Sequence, residues 1–278
     1  MTEKISVIIA VESSRERMQQ AVESVLSQRS ENYELIIVDE EFSPFLESAS
    51  NTHSNIKLVC QPNRGIACAR NAGLGAASGE FIAFLDPDDR WMPGKLAAQI
   101  DVFRTNADIA FCFTEFSSAS VVDVRESAHS KLASLEQLFE IELDAAKIRT
   151  FRTKAVERDV AALMFLEEQC IPLSTVMIRR SCLPYTGLFD PMLGIGASCD
   201  MWVKILRHFN AAQVMEHLVT CFSRELAGNE AAANAFDHSE IYQKYIQYGS
   251  AVANEKLVAF ARTLLERSAH TMRCHRFA

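Results

Sequence analysis

Gly79-Glu80-Phe81-Ile82-Ala83-Phe84-Leu85-Asp86-Pro87-Asp88-Asp89 runs five apolar residues straight into three carboxylates within four positions. An apolar run this short, ending at a proline, has the pattern of a strand buried on both faces. Pro87 has no N–H to donate, so it stops strand pairing and stiffens the turn. Three like charges at the mouth of a low-dielectric crevice repel one another. A hard divalent cation such as Mg²⁺ or Mn²⁺ relieves that repulsion through oxygen ligands. Alternatively, Asp88 or Asp89 caps a helix beginning near Pro93.

The same punctuation recurs on both sides of this segment. Ile5–Val11 reads as a central strand, followed by a helix on which Met18, Val22, Val25 and Leu26 share a face, with Ser13 and Ser14 as candidate caps. Glu34–Val38 reads as a second strand ending at Asp39, and after a weak segment Ile56–Cys60 reads as a third. Residues 65–77 read as a helix, and Leu96, Ile100 and Phe103 mark another before the strand Ile109–Phe113. Such alternation predicts a mainly parallel sheet with helices on both faces. Ligands of these sheets bind beyond the carboxyl ends of the strands, where Asp39 and Asp86–Asp89 fall.

Beyond residue 117 the spacing predicts helices over Leu132, Leu135, Leu138 and Phe139, and over Val160, Leu163 and Met164. Ser174–Ile178 reads as a strand, and Trp202, Ile205, Leu206 and Phe209 share one face of a helix. From about residue 237 the tail reads as two helices broken near Gly249-Ser250, the second with Leu257, Phe260, Ala261, Leu264 and Leu265 on its apolar face.

Composition narrows the function classes. The 278 residues are 49% hydrophobic and 23% charged, with a net charge of −8. That balance suits a globular protein and argues against nucleic acid as a partner. No apolar run is long enough for a transmembrane segment, and Met1–Lys4 leads directly into a strand, so a cytoplasmic location is expected, with peripheral attachment at the inner membrane as a variant. The eight cysteines contain no C-x-x-C pair, which argues against structural zinc and for buried free thiols. The phosphate loop of NTPases, the dinucleotide fingerprint, the serine-hydrolase elbow and H-E-x-x-H are all missing.

The stretch Asn63-Arg64-Gly65-Ile66-Ala67-Cys68-Ala69-Arg70-Asn71-Ala72-Gly73, followed by Gly79–Asp89, resembles the N-x-G-x-x-x-A-R-N-x-G and G-E-[YF]-[IL]-x-F-L-D-x-D-D block of the family 2 glycosyltransferases. Ser6–Ile9, Glu34–Asp39, Ser174–Arg180 and Gly187-Leu188-Phe189-Asp190 fall where that family has its first two strands, its acceptor-side strand and its G-x-F-D turn. The resemblance implies a GT-A-like α/β fold, with residues 1–230 as the transferase domain (1–116 nucleotide-sugar-binding, 117–230 acceptor-side) and 231–278 as a helical C-terminal appendage. It implies inverting transfer of a sugar from a nucleotide-diphosphate donor to a carbohydrate or other hydroxyl acceptor, in polysaccharide or glycoconjugate synthesis. Asp39 would bond the nucleotide base, Arg70 would lie near base and phosphates, and Asp86 and Asp88 would flank the donor. Asp89 would coordinate Mn²⁺ or Mg²⁺ at the diphosphate, where the ion acts as a Lewis acid on the leaving group.

The chain departs from that pattern in four places. The usual P-x-[YF]-N opening reads Ala10-Val11-Glu12-Ser13, and D-D-G-S-x-D reads Asp39-Glu40-Glu41-Phe42-Ser43-Pro44. The E-D-x-D-[LM]-W motif reads Ala197-Ser198-Cys199-Asp200-Met201-Trp202, with Ser198 at the place of the base. Asp200 is then the candidate catalytic base, expected either to cap its helix or to face the crevice. The family's later metal-ligand histidine is replaced within Thr220–Glu225, where Glu225 is an oxygen-bearing alternative, and His217 reads as structural. A second expectation is a catalytically degenerate module that binds nucleotide or carbohydrate or supports a partner enzyme. An exposed apolar tail would favour a homodimer through the C-terminal helices.

Overall fold

The computed structural model describes residues 3–11, 17–29, 32–39, 44–62, 64–118, 136, 139–154, 158–168, 171–194, 196–222, 228–252 and 254–275. Its strands are β1 (Ile5–Ala10), β2 (Tyr33–Asp39), β3 (Ile56–Cys60), β4 (Phe81–Leu85), β5 (Arg90–Trp91), β6 (Ile109–Ser118), β7 (Phe139–Leu143), β8 (Ile148–Thr153), β9 (Met177–Arg179) and β10 (Asn210–Cys221). They form one sheet in the order β3-β2-β1-β4-β9-β6-β10-β8-β7, with β5 on β10. β3, β2, β1 and β4 are parallel neighbours, as is the long β6–β10 ladder. The short strands β9, β5, β8 and β7 join antiparallel, so the sheet beyond β4 is mixed.

The helices are α1 (Met18–Leu26), α2 (Pro44–Thr52), α3 (Ile66–Ala76), α4 (Lys95–Thr105), α5 (Arg158–Glu168), α6 (Leu183–Thr186), α7 (Ala197–Leu206), α8 (Gly228–Ala251) and α9 (Glu255–His275). They cover both faces of the sheet, which explains why the central strands are apolar at nearly every position, with the buried Ser6 and Glu34 bonded to each other. Val7, Ile9, Leu35, Ile37, Ala83 and Leu85 pack with α1 and α4. Ile8, Ile36, Val38, Ile82 and Phe84 pack with α3, α7 and the C-terminal helices. The C-terminal helices are thus part of the core on one face: Ile241, Tyr245, Leu257 and Leu264 join the cluster that contains Trp202.

Two glycines of the quoted block are explained by close approach. A Cβ on Gly73 would meet Ile8 Cγ2 at 2.5 Å, because α3 lies directly on β1. A Cβ on Gly79 would lie 2.6 Å from the backbone nitrogen of Ser6 and 2.7 Å from the carbonyl oxygen of Lys4. Ser6 Oγ in turn accepts from the Gly79 amide and donates to Glu34, whose buried carboxylate also bonds Lys4, Lys57 and Ser78.

Several expectations are corrected. The weak segment after Asp39 contains α2, whose residues 44–52 carry only Leu46 into the core, too little periodicity to be legible. Phe139 begins β7 rather than ending a helix, because it pairs with Thr153; Leu132, Leu135 and Leu138 lie outside the described residues. Ser174 and Thr175 form a 3₁₀ turn, and the strand starts only at Met177. The tail is two helices as expected, with the first ending at Ala251, just past Gly249-Ser250, and the second starting at Glu255. The candidate caps Ser13 and Ser14 lie outside the described residues, and α1 is preceded by Arg17 without a side-chain cap. Cys112, Cys182 and Cys221 are buried, Cys68 and Cys199 are half-buried, and Cys60, last residue of the edge strand β3, is exposed.

Candidate donor site

The parallel register places Val38, Ala10 and Leu85 at one edge of the sheet, so Asp39 and the turn Asp86–Asp89 leave that edge together. Asp39 is buried there. Neither Asp88 nor Asp89 caps the next helix: α4 is preceded by Gly94, whose φ of 91° no side chain favours. The capping alternative is therefore excluded.

Asp89 is the buried member of the turn, held from two elements distant in sequence. Ser174 Oγ donates to Asp89 Oδ2 at 2.6 Å, and the Phe222 amide donates to Oδ1 at 3.0 Å. The same Ser174 hydroxyl accepts from the Asp86 amide at 3.0 Å, and Trp91 Nε1 donates to the Ser174 carbonyl at 2.8 Å. Burial, and then the charge of Asp86, push the Asp89 carboxyl up to about 6, against the hydrogen bonds that favour its anion. Asp86 and Asp88 are only partly covered and line the outer side of the turn.

Arg70 is buried on α3. Its Nη2 meets Asp86 Oδ1 at 3.1 Å, its Nη1 donates to Ser198 Oγ at 3.1 Å, and its guanidinium lies 5.7 Å from the centre of the Phe189 ring. The structure thus brings Arg70, Asp86 and Ser198 together, and it puts Asp89 on the same turn.

Asp200 takes neither of its two expected places. Gly196 precedes α7, and Asp200, in the first turn, is wholly buried under the C-terminal helices. Lys244 of α8 donates to Oδ1 at 2.8 Å, and Lys204 Nζ lies 2.6 Å from Oδ2. Both oxygens of Asp200 thus face lysine ammonium groups, and neither is presented to solvent where an acceptor could reach it. Apolar periodicity set the helix correctly but could not reveal the two lysines packed over this position. His217 is exposed on β10, and Glu12, Ser13, Glu40–Ser43 and Glu225 lie outside the described residues.

Sequence reasoning missed Ser174, Trp91 and Phe222 as supports of the carboxylate turn. Their one signal was the nearness of Trp91 to Asp89 in sequence; the other two are brought in by tertiary contact alone.

Could these residues hold a divalent cation? Among the described residues no three His, Cys, Asp or Glu side chains gather into a site complete by itself. The chemistry of the turn nevertheless fits one, because a buried carboxylate beside a second carboxylate is relieved by a cation, and hard ions often share one or two carboxylates with substrate phosphates.

The model of the family described as "Glycosyl transferase family 2" matches residues 6–161, more than half of the chain. The chain belongs to that family. Among curated family relatives, the Escherichia coli UDP-Glc:alpha-D-GlcNAc-diphosphoundecaprenol beta-1,3-glucosyltransferase WfaP is 37% identical over 106 residues, covering 37% of this chain and 42% of the relative. The putative teichuronic acid biosynthesis glycosyltransferase TuaG of Bacillus subtilis (strain 168) is 36% identical over 118 residues, covering 41% and 46%. The matches therefore span less than half the length of these relatives. In fold the chain is similar to S. aureus TarS 1-349 in complex with UDP-GlcNAc, with a TM-score of 0.64, 14% identity and coverage of 96% and 72%. It is also similar to the mannosyltransferase PcManGT from Pyrobaculum calidifontis in complex with GDP-Man and Mn²⁺, with a TM-score of 0.63, 15% identity and coverage of 96% and 75%. The family's GT-A fold is the fold of this chain. No helix among the described residues is long and apolar enough to cross a membrane.

Proposed function

We propose that the protein is a glycosyltransferase that takes a sugar from a nucleotide-diphosphate donor to an acceptor hydroxyl, with inversion, in polysaccharide or glycoconjugate synthesis. One observation carries the reading: the carboxylate turn, tied to Arg70 through Asp86, stands beside Asp39 at the carboxyl edge of parallel strands. Asp89 would hold Mn²⁺ or Mg²⁺, with Asp88 beside it, and a bound ion would stabilise the charge on the departing diphosphate. Arg70 supplies a fixed cation near the phosphates, and Asp39 accepts from the base. Ser174, Trp91 and Phe222 hold the turn so that Asp89 keeps one orientation. The structural relatives described with GDP-Man and Mn²⁺ or with UDP-GlcNAc support a nucleotide-sugar site on this fold.

Ser198 favours a second reading, a module that binds the donor with little turnover. Its hydroxyl, at the family's base position, accepts from Arg70 and offers no base at neutral pH. Asp200, ion-paired under α8, serves as an anchor for the C-terminal helices.

Thermal unfolding with UDP, GDP, dTDP and CDP, each with and without Mn²⁺, tests the site. A ligand at a hundred times its dissociation constant adds about 2.7 kcal/mol, or roughly 5 to 10 °C in midpoint. A metal-dependent shift with one nucleotide, lost in Asp89→Asn, is the expected result; no shift with any of them sinks the donor site. Hydrolysis or transfer across nucleotide-sugars of the responding base then separates the two readings, since tight binding with only trace turnover marks the second.

A further inference from the structure

The C-terminal helices lie beyond the family match at residues 6–161, yet α8 reaches the loop between α6 and α7. Lys244 Nζ donates to Asp200 Oδ1 at 2.8 Å and to Asp190 Oδ2 at 3.0 Å. Asp200 is wholly buried and fixes the ammonium, so the second N–H is aimed at Asp190, the last residue of the Gly187–Asp190 turn. Burial alone would lower the Lys244 ammonium, but the two carboxylates outweigh it and hold its value above the ordinary one.

The neighbouring Phe189 is clasped by α3. Asn71 Nδ2 donates to the Phe189 carbonyl at 2.8 Å, and the Phe189 amide donates to Asn71 Oδ1 at 2.9 Å. The Phe189 ring stands edge-on to Phe84 at 5.5 Å, at the end of β4, with the Arg70 guanidinium 5.7 Å from its centre. Arg70 precedes Asn71 on α3 and carries the bond to Asp86. A continuous set of contacts therefore runs from Lys244 through Asp190 and Phe189 to Arg70 and Asp86.

We infer that Lys244, on the C-terminal helix, is a positioning residue for the donor site: by holding Asp190 it seats Phe189 against α3 and so aims Arg70 at the carboxylate turn. This rests on the donor-site reading above. The C-terminal helices then act on nucleotide binding from outside the family match at residues 6–161, through one ammonium group. Lys204 supports the same loop from α7, donating to the Leu188 carbonyl at 3.2 Å, but it does not reach Asp190.

Lys244→Met strips a cation from buried Asp200 and endangers folding, so the decisive variant is Asp190→Asn, which weakens only the loop arm and keeps the Lys244–Asp200 pair. Hydrogen exchange of the full-length, nucleotide-free protein is followed in segments 66–76 and 187–193. Asp190→Asn is expected to speed exchange in both at least fivefold, with the strands at 5–10 and 33–39 and the melting midpoint unchanged. Affinity for the responding nucleoside diphosphate with Mn²⁺ should fall at least fivefold, and Asp190→Glu should restore both readouts. Exchange that quickens in 187–193 alone, with 66–76 and nucleotide affinity at wild-type values, overturns the inference. If no nucleotide binds even the wild type, the donor-site reading has failed, and exchange in 66–76 by itself decides whether Lys244 is coupled to α3.

Discussion

Lys95 offers a sharp test of how this core tolerates charge. Its side chain is wholly buried in the first turn of α4. The ammonium bonds Gln99 Oε1 at 2.6 Å and lies 4.1 Å from the centre of the Trp91 ring. Burial brings its pKa down from 10.5 to about 7. The folded protein therefore binds this proton more weakly than the unfolded chain does, and the group opposes folding at every pH below 10.5. At about 1.4 kcal/mol per pKa unit, the opposition reaches roughly 5 kcal/mol below pH 7 and shrinks to about 3 kcal/mol at pH 8 and about 2 kcal/mol at pH 9. These are upper bounds, because water penetration and relaxation soften buried charges.

Lys95→Met keeps the length of the side chain and deletes the charge, at the cost of the hydrogen bond it donates to Gln99 and the contact with Trp91, together about 1 to 2 kcal/mol. The variant should therefore be more stable by about 1 to 3 kcal/mol at pH 6, with the gain fading toward pH 9. Urea unfolding at pH 6, 7, 8 and 9, with equal m-values for both proteins, measures it. A Lys95→Met protein less stable than wild type at pH 6, or a difference that does not vary with pH, would refute the reasoning. Trp91 still donates to the Ser174 carbonyl in this variant, so nucleotide binding should survive.

Other perturbations probe the remaining parts. Gly79→Ala forces a Cβ onto the backbone of Lys4 and Ser6 and should cost more than about 3 kcal/mol, whereas Gly73→Ala meets only the Ile8 side chain and should cost about 1 to 2 kcal/mol, both by denaturant titration. The Glu34 carboxyl is raised by burial but held well below its ordinary 4.5 overall by bonds from Lys4, Lys57, Ser6 and the Ser78 amide. Its stabilisation is therefore complete above about pH 5 and lost as pH falls further, and Glu34→Gln should flatten the acid limb of the stability profile. Arg70→Lys keeps the charge but cannot reach Asp86 and Ser198 together, so calorimetry should show nucleoside diphosphate affinity down about tenfold with the melting midpoint little changed.

The sequence alone set the parallel half of the sheet, because strands covered on both faces are apolar at nearly every position and the helices between them keep a 3.6-residue stripe. It also determined the carboxylate turn and Arg70, since that chemistry lies in consecutive residues whose spacing survives without any tertiary knowledge. The two glycines at 73 and 79 were legible as a pattern, but their reason, backbone and side chains approaching within one Cβ, exists only in the fold. Asp200 shows the opposite case. Periodicity placed it correctly near the start of its helix, yet its partners Lys204 and Lys244 decide its chemistry, and Lys244 is 44 residues away. The supports of Asp89 are likewise remote: Ser174 is 85 residues distant and Phe222 is 133. Local patterns record which face of an element is buried; which polar groups meet there is set by how distant elements close on one another, and that was left to the tertiary structure.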